Sequence, residues 1–291
     1  MNNYLAKLQN SYDVVKEDIC ALVSVIKKGE IPDWLYDDLD DLTKNQLSNK
    51  IRKGLFLTSF NSVELFIINS TWIVVDLVNS FEFLLFNLRH DRDISKIKNC
   101  ILNGAKSNAV YNSDDVKMAR AYEASISVQK LVEKSIIKLN ENCFFTKSNV
   151  SYEDMIEASK FFVPIFNSWI AINKNFSSQV NFISFSKFLD SWMQLRLPYS
   201  RRVQDEYKDI VKLRNNCAHK AQFYLSISEL RRSCGYFSHL IEAIYAYHRA
   251  IFLTIDNLEN HKPVNFFHFT SRIDEKDIQY QVTHSGIVQY R

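Results

Sequence analysis

The scarcity of glycine and proline constrains this chain more than any other feature of its sequence. Only 5 of its 291 residues are glycine and 4 are proline. Tight turns and phosphate-binding loops depend on glycine, so turn-rich β-sandwiches and nucleotide-binding α/β folds are disfavoured. Hydrophobic residues make up 46% of the chain, which is enough to bury a sizeable core. We therefore expect an all-α fold built from long helices.

Apolar residues recur at helical spacing along most of the chain. The spacing predicts helices over roughly 11–29, 33–47, 55–88, 113–140, 151–175, 185–197, 203–217 and 227–255. The 55–88 segment is one long helix or two helices joined near Asn69. Ser226 and Glu229 form an S-x-x-E capping box for the last helix. Alternation at Ile278 and Tyr280 predicts strand structure near the C-terminus, which we interpret as a small β-hairpin.

These elements divide the chain into three segments. Residues 1–54 form an acidic N-terminal helical extension, residues 55–256 a helical domain, and residues 257–291 a tail with the β-hairpin. No low-complexity linker separates the segments.

The sequence predicts a cytoplasmic protein with no membrane partner. The most apolar region is interrupted by Glu64, Asp76 and Glu82, and its longest uncharged run, 65–75, is too short to span a bilayer. The N-terminus has no apolar stretch typical of a signal peptide. The five cysteines are scattered and form no C-x-x-C pair, which is typical of reduced thiols.

Positive charge is concentrated in one part of the chain, although the net charge is only +3. Residues 187–232 contain ten Lys or Arg and five Asp or Glu. Such a stretch favours a polyanionic partner. A solvated helical surface is the alternative interpretation.

The sequence lacks the signatures of several common enzyme classes. It contains no GxGxxG, GxxxxGK[ST], GxSxG or HExxH pattern. What remains is residues 213–219, with the sequence L-R-N-N-C-A-H.

Arginine and histidine without a metal suit the cleavage of RNA. Histidine titrates near neutral pH, so His219 can take a proton from a ribose 2′-hydroxyl or give one to the leaving 5′-oxygen. Arg214 offers a fixed fork of donors to the phosphate oxygens as negative charge builds on them. Because the nucleophile belongs to the RNA, we expect no metal and no other cofactor.

The spacing of this pair favours the end of a helix. Positions five apart on an ideal helix point roughly 140° away from each other. Asn215 and Asn216 are poor helix-interior residues, and the capping box at Ser226 requires a non-helical link before it. We therefore expect the helix to end between Arg214 and His219, so that the two side chains converge.

This stretch resembles the Arg-x(4–6)-His motif of HEPN domains, which are helical proteins common among prokaryotic toxins, abortive-infection proteins and CRISPR effectors. The match consists of Arg214, the polar Asn215 after it, and His219 after four intervening residues. Upstream, residues 74–85 resemble the first helix of many HEPN toxins, and Glu82 is the acidic residue of that helix. A second match, Arg232 to His239, lies inside a predicted helix and is disfavoured.

The resemblance implies a HEPN-type helical bundle that acts as a metal-independent endoribonuclease, as a toxin or an anti-phage defence effector. Arg214 and His219 are then the catalytic pair, with Asn215 and Glu82 in supporting roles. It also implies a homodimer with both motifs in one cleft, and a possible antitoxin or regulatory partner. The basic residues expected to bind the RNA are Arg201, Arg202, Lys212 and Lys220.

Two alternatives stay open. In one, the HEPN scaffold is not catalytic and binds RNA or a partner subunit. In the other, it is a nucleotide-sensing regulator, which would require a closed aromatic pocket. The chain also departs from the HEPN toxins controlled by a nucleotidyltransferase antitoxin, which carry Tyr two residues after the His, where this chain has Ala221.

Overall fold

The architecture is that of a computed structural model, and the predicted all-α character of the helical region is confirmed. The structure describes residues 1–27, 39–81, 95, 99, 122, 126, 139, 144, 150–172, 184–196, 202–260, 267–271, 276–283 and 286–290. The helices in these ranges are α1 (Asn2–Lys27), α2 (Asp41–Ser80), α3 (Tyr152–Ile172), α4 (Phe185–Arg196), α5 (Val203–His219) and α6 (Ile227–Glu259). The helix predicted over 113–140 lies outside the described residues, apart from three single positions.

Helix α1 packs against both α2 and α6. Its buried apolar residues recur every three or four positions, which places them on one face: Leu8, Tyr12, Val15, Ile19 and Leu22. The Tyr12 ring stacks on Tyr245 of α6 at 4.3 Å between centroids, while Tyr4 meets Phe252. In these two contacts a higher residue number on α1 goes with a lower one on α6, so the two helices are antiparallel. The segment predicted as an N-terminal extension therefore contributes to the core.

Helix α2 is one continuous helix of 40 residues, which corrects the prediction of separate helices over 33–47 and 55–88. Asp40 caps its start, because the Asp40 carboxylate accepts a hydrogen bond from the Thr43 backbone N–H at 2.7 Å. Gly54 is exposed within the helix and does not break it. The domain boundary predicted at residue 54 thus falls inside α2.

The middle of α2 is the centre of the bundle. Phe56 and Phe60 pack against Phe237 of α6, with centroids 6.1 and 5.9 Å away. Among the helices in the described ranges, α2 is the one long and apolar enough to cross a bilayer, and 61% of its most apolar window is buried inside the protein. Such burial is typical of a core helix, and the cytoplasmic location stays a prediction.

Two helix starts use reciprocal side-chain capping. Ser226 and Glu229 form the predicted box at α6, with the Ser226 N–H 2.9 Å from the Glu229 carboxylate and the Glu229 N–H 3.2 Å from the Ser226 hydroxyl. Ser151 and Asp154 pair in the same way at α3. Helix α3 continues through Pro164 to Ile172.

The chain ends in three short antiparallel strands. They are β1 (Phe267–Ser271), β2 (Lys276–Thr283) and β3 (Gly286–Tyr290), in the order β1-β2-β3. Phe269 lies opposite Ile278, and Tyr280 lies opposite Gln289. The sequence predicts two strands here, whereas the structure has three.

Candidate functional site

Helix α5 carries the Arg214–His219 motif and is anchored by one buried face. That face includes Tyr207, Ile210 and Cys217. The Tyr207 hydroxyl donates to the Val150 carbonyl oxygen at 2.8 Å, which ties α5 to the segment before α3. Burial raises the pKa of the Cys217 thiol to about 11. The anchored face therefore extends into the middle of the motif.

Because of this anchoring, α5 does not end where the sequence predicts. It continues through His219, and the Lys220 N–H still donates to the Asn216 carbonyl at 3.0 Å. The two asparagines cost only a fraction of a kcal/mol each, on the order of 0.7, which packing around Cys217 offsets. The expectation that Arg214 and His219 converge within one chain is therefore wrong: they point roughly 140° apart.

Arg214 reaches toward α2. Its guanidinium lies 6.0 Å from the centroid of the Phe60 ring. Its Nη1 donates to the Asn215 side-chain oxygen at 3.2 Å, and its buried Nε has no hydrogen-bond partner among the described residues. The side chain is thus partly enclosed at the α2–α5 contact.

Glu64 lies one helical turn after Phe60 on α2. It is a buried acid whose pKa is influenced by the charge of Arg214. Burial raises the pKa of the Glu64 carboxyl, while a hydrogen bond from the Val150 N–H and the charge of Arg214 act in the opposite direction. The Val150 N–H lies 2.9 Å from the Glu64 carboxylate. Sequence reasoning assigned the acidic role to Glu82, which lies outside the described residues, and treated Glu64 only as an interruption of an apolar run.

His219 is exposed in the last turn of α5. Lys212 and Asn215 are also exposed. Lys212 precedes Asn215 by three residues and Asn215 precedes His219 by four, which places all three on one helical face. Asn215 therefore connects the two motif residues: it shares a face with His219 and holds the Arg214 guanidinium. The arrangement could bind a phosphate at the edge of this face and present an imidazole beside it.

Lysine 53 of α2 holds the backbone that follows His219. The Lys53 ammonium donates to the carbonyl oxygens of Lys220 and Ala221, at 3.0 and 3.1 Å. A cation at these carbonyls also complements the negative end of the α5 dipole. Hydrogen bonds from α2, rather than the sequence of α5 itself, therefore hold the C-terminal end of α5 in place.

Two more α2 side chains complete this contact, which we call the α2 clamp (Asn49, Arg52 and Lys53). The Asn49 amide donates to the Phe223 carbonyl and accepts from the Leu225 N–H, both at 2.9 Å. Arg52, only 6% exposed, donates from Nε to the Leu225 carbonyl at 3.0 Å. Sequence reasoning missed the clamp, because its three residues lie in a polar stretch of α2, residues 43–54, where their type does not distinguish them from their neighbours.

The other predicted RNA-binding residues divide into three cases. Lys220 is exposed beside His219, and Lys212 is exposed on the same helix face. Arg202 is the N-cap residue of α5, and the 17 residues of that helix separate it from His219 by about 25 Å. Arg201 lies outside the described residues.

The second Arg–His match has a different environment. Arg232 of α6 forms a two-pronged ion pair with Glu206 of α5, with Nη2 at 2.6 Å from the carboxylate, and lies 3.6 Å from Asp209. Asp209, Lys212 and Arg232 help to line a groove of about 230 Å³ between the two helices. Neither Arg214 nor His219 lines it. Within the described ranges, no three His, Cys, Asp or Glu side chains are grouped to hold a metal ion.

Comparison with known proteins adds no assignment. No protein-family model, curated protein or solved structure matches the chain. The resemblance to HEPN domains therefore rests on the motif residues and on residues 74–85.

Proposed function

We propose that this chain is a metal-independent endoribonuclease with a HEPN-type helical bundle, acting in the cytoplasm as a toxin or an anti-phage defence effector. One observation carries the proposal: Asn215 holds the Arg214 guanidinium at the edge of the helical face on which His219 is exposed. A partly enclosed cationic fork and an exposed imidazole near the end of one helix suit an RNA phosphodiester.

The reaction needs a base, an acid and a stabiliser for the phosphate. One histidine removes the 2′-hydroxyl proton as the 2′-oxygen attacks phosphorus. The bond from phosphorus to the 5′-oxygen breaks, and that oxygen takes a proton from a second histidine. Arg214 stabilises the charge on the phosphate oxygens. The products are a 2′,3′-cyclic phosphate and a 5′-hydroxyl.

A second copy of the chain supplies what one chain lacks. Within one chain, Arg214 and His219 diverge along a continuous α5, and only one His219 is present. A twofold dimer across the Lys212–Asn215–His219 face would bring two histidines and two arginines to one cleft. Sedimentation at micromolar concentration should show a dimer; a monomer at all concentrations, with and without RNA, would count against this cleft.

The decisive experiment is cleavage in the presence of excess chelator. Wild-type protein should cut total RNA and leave 2′,3′-cyclic phosphate and 5′-hydroxyl ends. A defined substrate with 2′-deoxyribose at the cut site should not be cut, because the nucleophile is missing. Cleavage of the deoxy substrate, or loss of wild-type cleavage in chelator, would show that the mechanism is wrong.

A non-catalytic scaffold that binds RNA or a partner subunit is the second candidate. The divergence of Arg214 and His219, together with the buried Nε of Arg214, favours it. This candidate requires that wild-type protein bind RNA or an antitoxin-like partner without cutting RNA. His219→Ala would then leave all measurable behaviour unchanged.

A further inference from the structure

Tyr224 is an exposed aromatic side chain beside the proposed site. Its side chain is 60% exposed, in the link between α5 and α6, five residues after His219. Five residues can separate the two Cα atoms by at most about 18 Å. An RNA strand bound at His219 therefore passes within a few nucleotides of Tyr224.

The ring of Tyr224 is supported from the protein side by a buried cation. The guanidinium carbon of Arg52 lies 5.1 Å from the centroid of the ring. Arg52 itself is fixed, because it is 6% exposed and its Nε donates to the Leu225 carbonyl. Arg52 covers one side of the ring, so the exposed area of Tyr224 lies on the rest of the ring.

The backbone on both sides of Tyr224 is also fixed. Asn49 bonds the Phe223 carbonyl and the Leu225 N–H, so the residues before and after Tyr224 are held by one amide. An aromatic ring on a fixed backbone loses little conformational entropy when a ligand stacks on it. The arrangement is that of a preorganised stacking surface.

The charges around this ring favour a nucleic acid. Lys53 lies 5.8 Å from the Phe223 ring centroid, and Lys220 is exposed between His219 and Tyr224. Single-stranded nucleic acids bind where aromatic rings stack on bases and basic side chains follow the phosphates. A cation beneath the ring adds to this preference.

From this geometry we infer that Tyr224 is the stacking site for an unpaired nucleobase, so that the protein engages RNA as a single strand beside His219. The inference rests on the proposed function for the identity of its ligand. It adds a substrate class, since a base within a duplex has no free face to offer the ring.

The test measures RNA binding without cleavage. A single-stranded oligoribonucleotide carrying 2-aminopurine is titrated into the His219→Ala protein, and 2-aminopurine quenching reports stacking. Adding Tyr224→Ala should weaken binding about 5- to 150-fold and abolish quenching. Tyr224→Phe should retain both, and Tyr224→Leu should lose quenching. Tyr122→Ala, which removes a tyrosine that is 68% exposed elsewhere in the chain, is the matched control and should change neither.

The outcomes separate this inference from the proposed function. RNA binding that Tyr224→Ala leaves unchanged would overturn the stacking site and leave the endoribonuclease proposal standing. Equal affinity for the single strand and its duplex would overturn the substrate class. Absence of any RNA binding at low salt would overturn both. If Tyr224→Ala disrupts self-association in the absence of RNA, the ring is a contact between two copies of the chain and the inference is wrong.

Discussion

The two Arg–His pairs of this chain follow the same sequence pattern but lie in opposite chemical environments. Arg232 is held by Glu206 and Asp209 across α5 and α6. Arg214 instead donates a hydrogen bond to the neutral Asn215, and it acts on the buried Glu64 carboxyl through its charge, without an ion pair in the described part of the chain. His239 lies partly buried, 3.9 Å from the Glu242 carboxylate, which is 1% exposed.

The difference shows what decides the role of an arginine in this fold. A guanidinium already paired with two carboxylates has its charge balanced and serves to join helices. A guanidinium held by an amide keeps its charge available for a phosphate. The pattern Arg-x(4–6)-His does not distinguish the two cases, because the carboxylates come from another helix.

The largest expected difference between the pairs is in RNA cleavage. His219→Ala should reduce the cleavage rate by about 10²–10⁴, the usual loss when a positioned acid or base is removed. His239→Ala should change the rate less than twofold. Single-turnover assays with one defined RNA measure both, and thermal melts confirm folding. A larger loss of rate in His239→Ala would reverse the comparison.

For the free energy of unfolding we expect the reverse order: loss of the arginine should cost more in the Arg232–His239 pair than in the Arg214–His219 pair. Arg232→Met leaves the buried Glu206 carboxylate without its partner and should lower the free energy of unfolding by about 2 kcal/mol, after discounting for an arginine that is 38% exposed. Arg214→Met should cost about 1 kcal/mol or less. Urea denaturation measures both variants, and equal or inverted costs would contradict the assignment of Arg232 as the structural member.

A third expected effect is on the pH dependence of stability, to which the buried His248 should contribute. Burial lowers the pKa of His248, on α6, to about 3. Below the unfolded pKa of about 6.5 the unfolded chain gains a proton that the folded chain does not. His248 therefore stabilises the fold fully above that pH, and the contribution falls by about 1.4 kcal/mol per pH unit as pH drops from 6.5 toward 3.

The measurement compares urea unfolding at pH 7 and pH 5.5. His248→Leu should unfold with a smaller difference between the two pH values than wild type, because leucine does not titrate. The substitution breaks no hydrogen bond of the buried His248 Nδ1, which has no partner among the described residues. If His248→Leu shows the same difference between pH 7 and pH 5.5 as wild type, His248 is not the source of the pH dependence.

The smallest expected difference concerns the cysteine inside each motif. Burial raises the pKa of Cys217 to about 11 and that of Cys234 to about 12, so both stay as unreactive thiols near neutral pH. Iodoacetamide at pH 7.5 should label the exposed Cys20 and spare both, with cleavage unchanged. Mass spectrometry of the folded protein reads this out, and labelling of Cys217 ahead of Cys20 would show that α5 opens at the motif.

Local rules of the sequence predicted several features of the fold. The capping box at Ser226 and the starts of α4 and α5 near Phe185 and Val203 follow from residues close in sequence, and the structure has them where expected. The end of α5 does not follow from such rules. Two asparagines favour an earlier end, but the packing of Cys217 and the bonds from Lys53 carry the helix to His219.

The candidate site was predicted only as a set of residue types. Arg214, Asn215 and His219 were named from the sequence, yet their relative directions depend on α2, a partner that no local pattern identifies. The roles of Glu64, Arg52 and Tyr224 were missed for the same reason. Each acts through a contact with a residue far away in the chain.

The α2 clamp has a consequence for how the protein is made. Its bonds join residues 167 to 176 positions apart in the chain. During synthesis, α2 emerges from the ribosome long before the link after His219 exists. The backbone around His219 can take its final form only after the chain has been translated beyond Leu225. A product truncated at its N-terminus, which contains the Arg-x(4–6)-His sequence but lacks the first 53 residues, therefore has the residues of the site without the support that orders them.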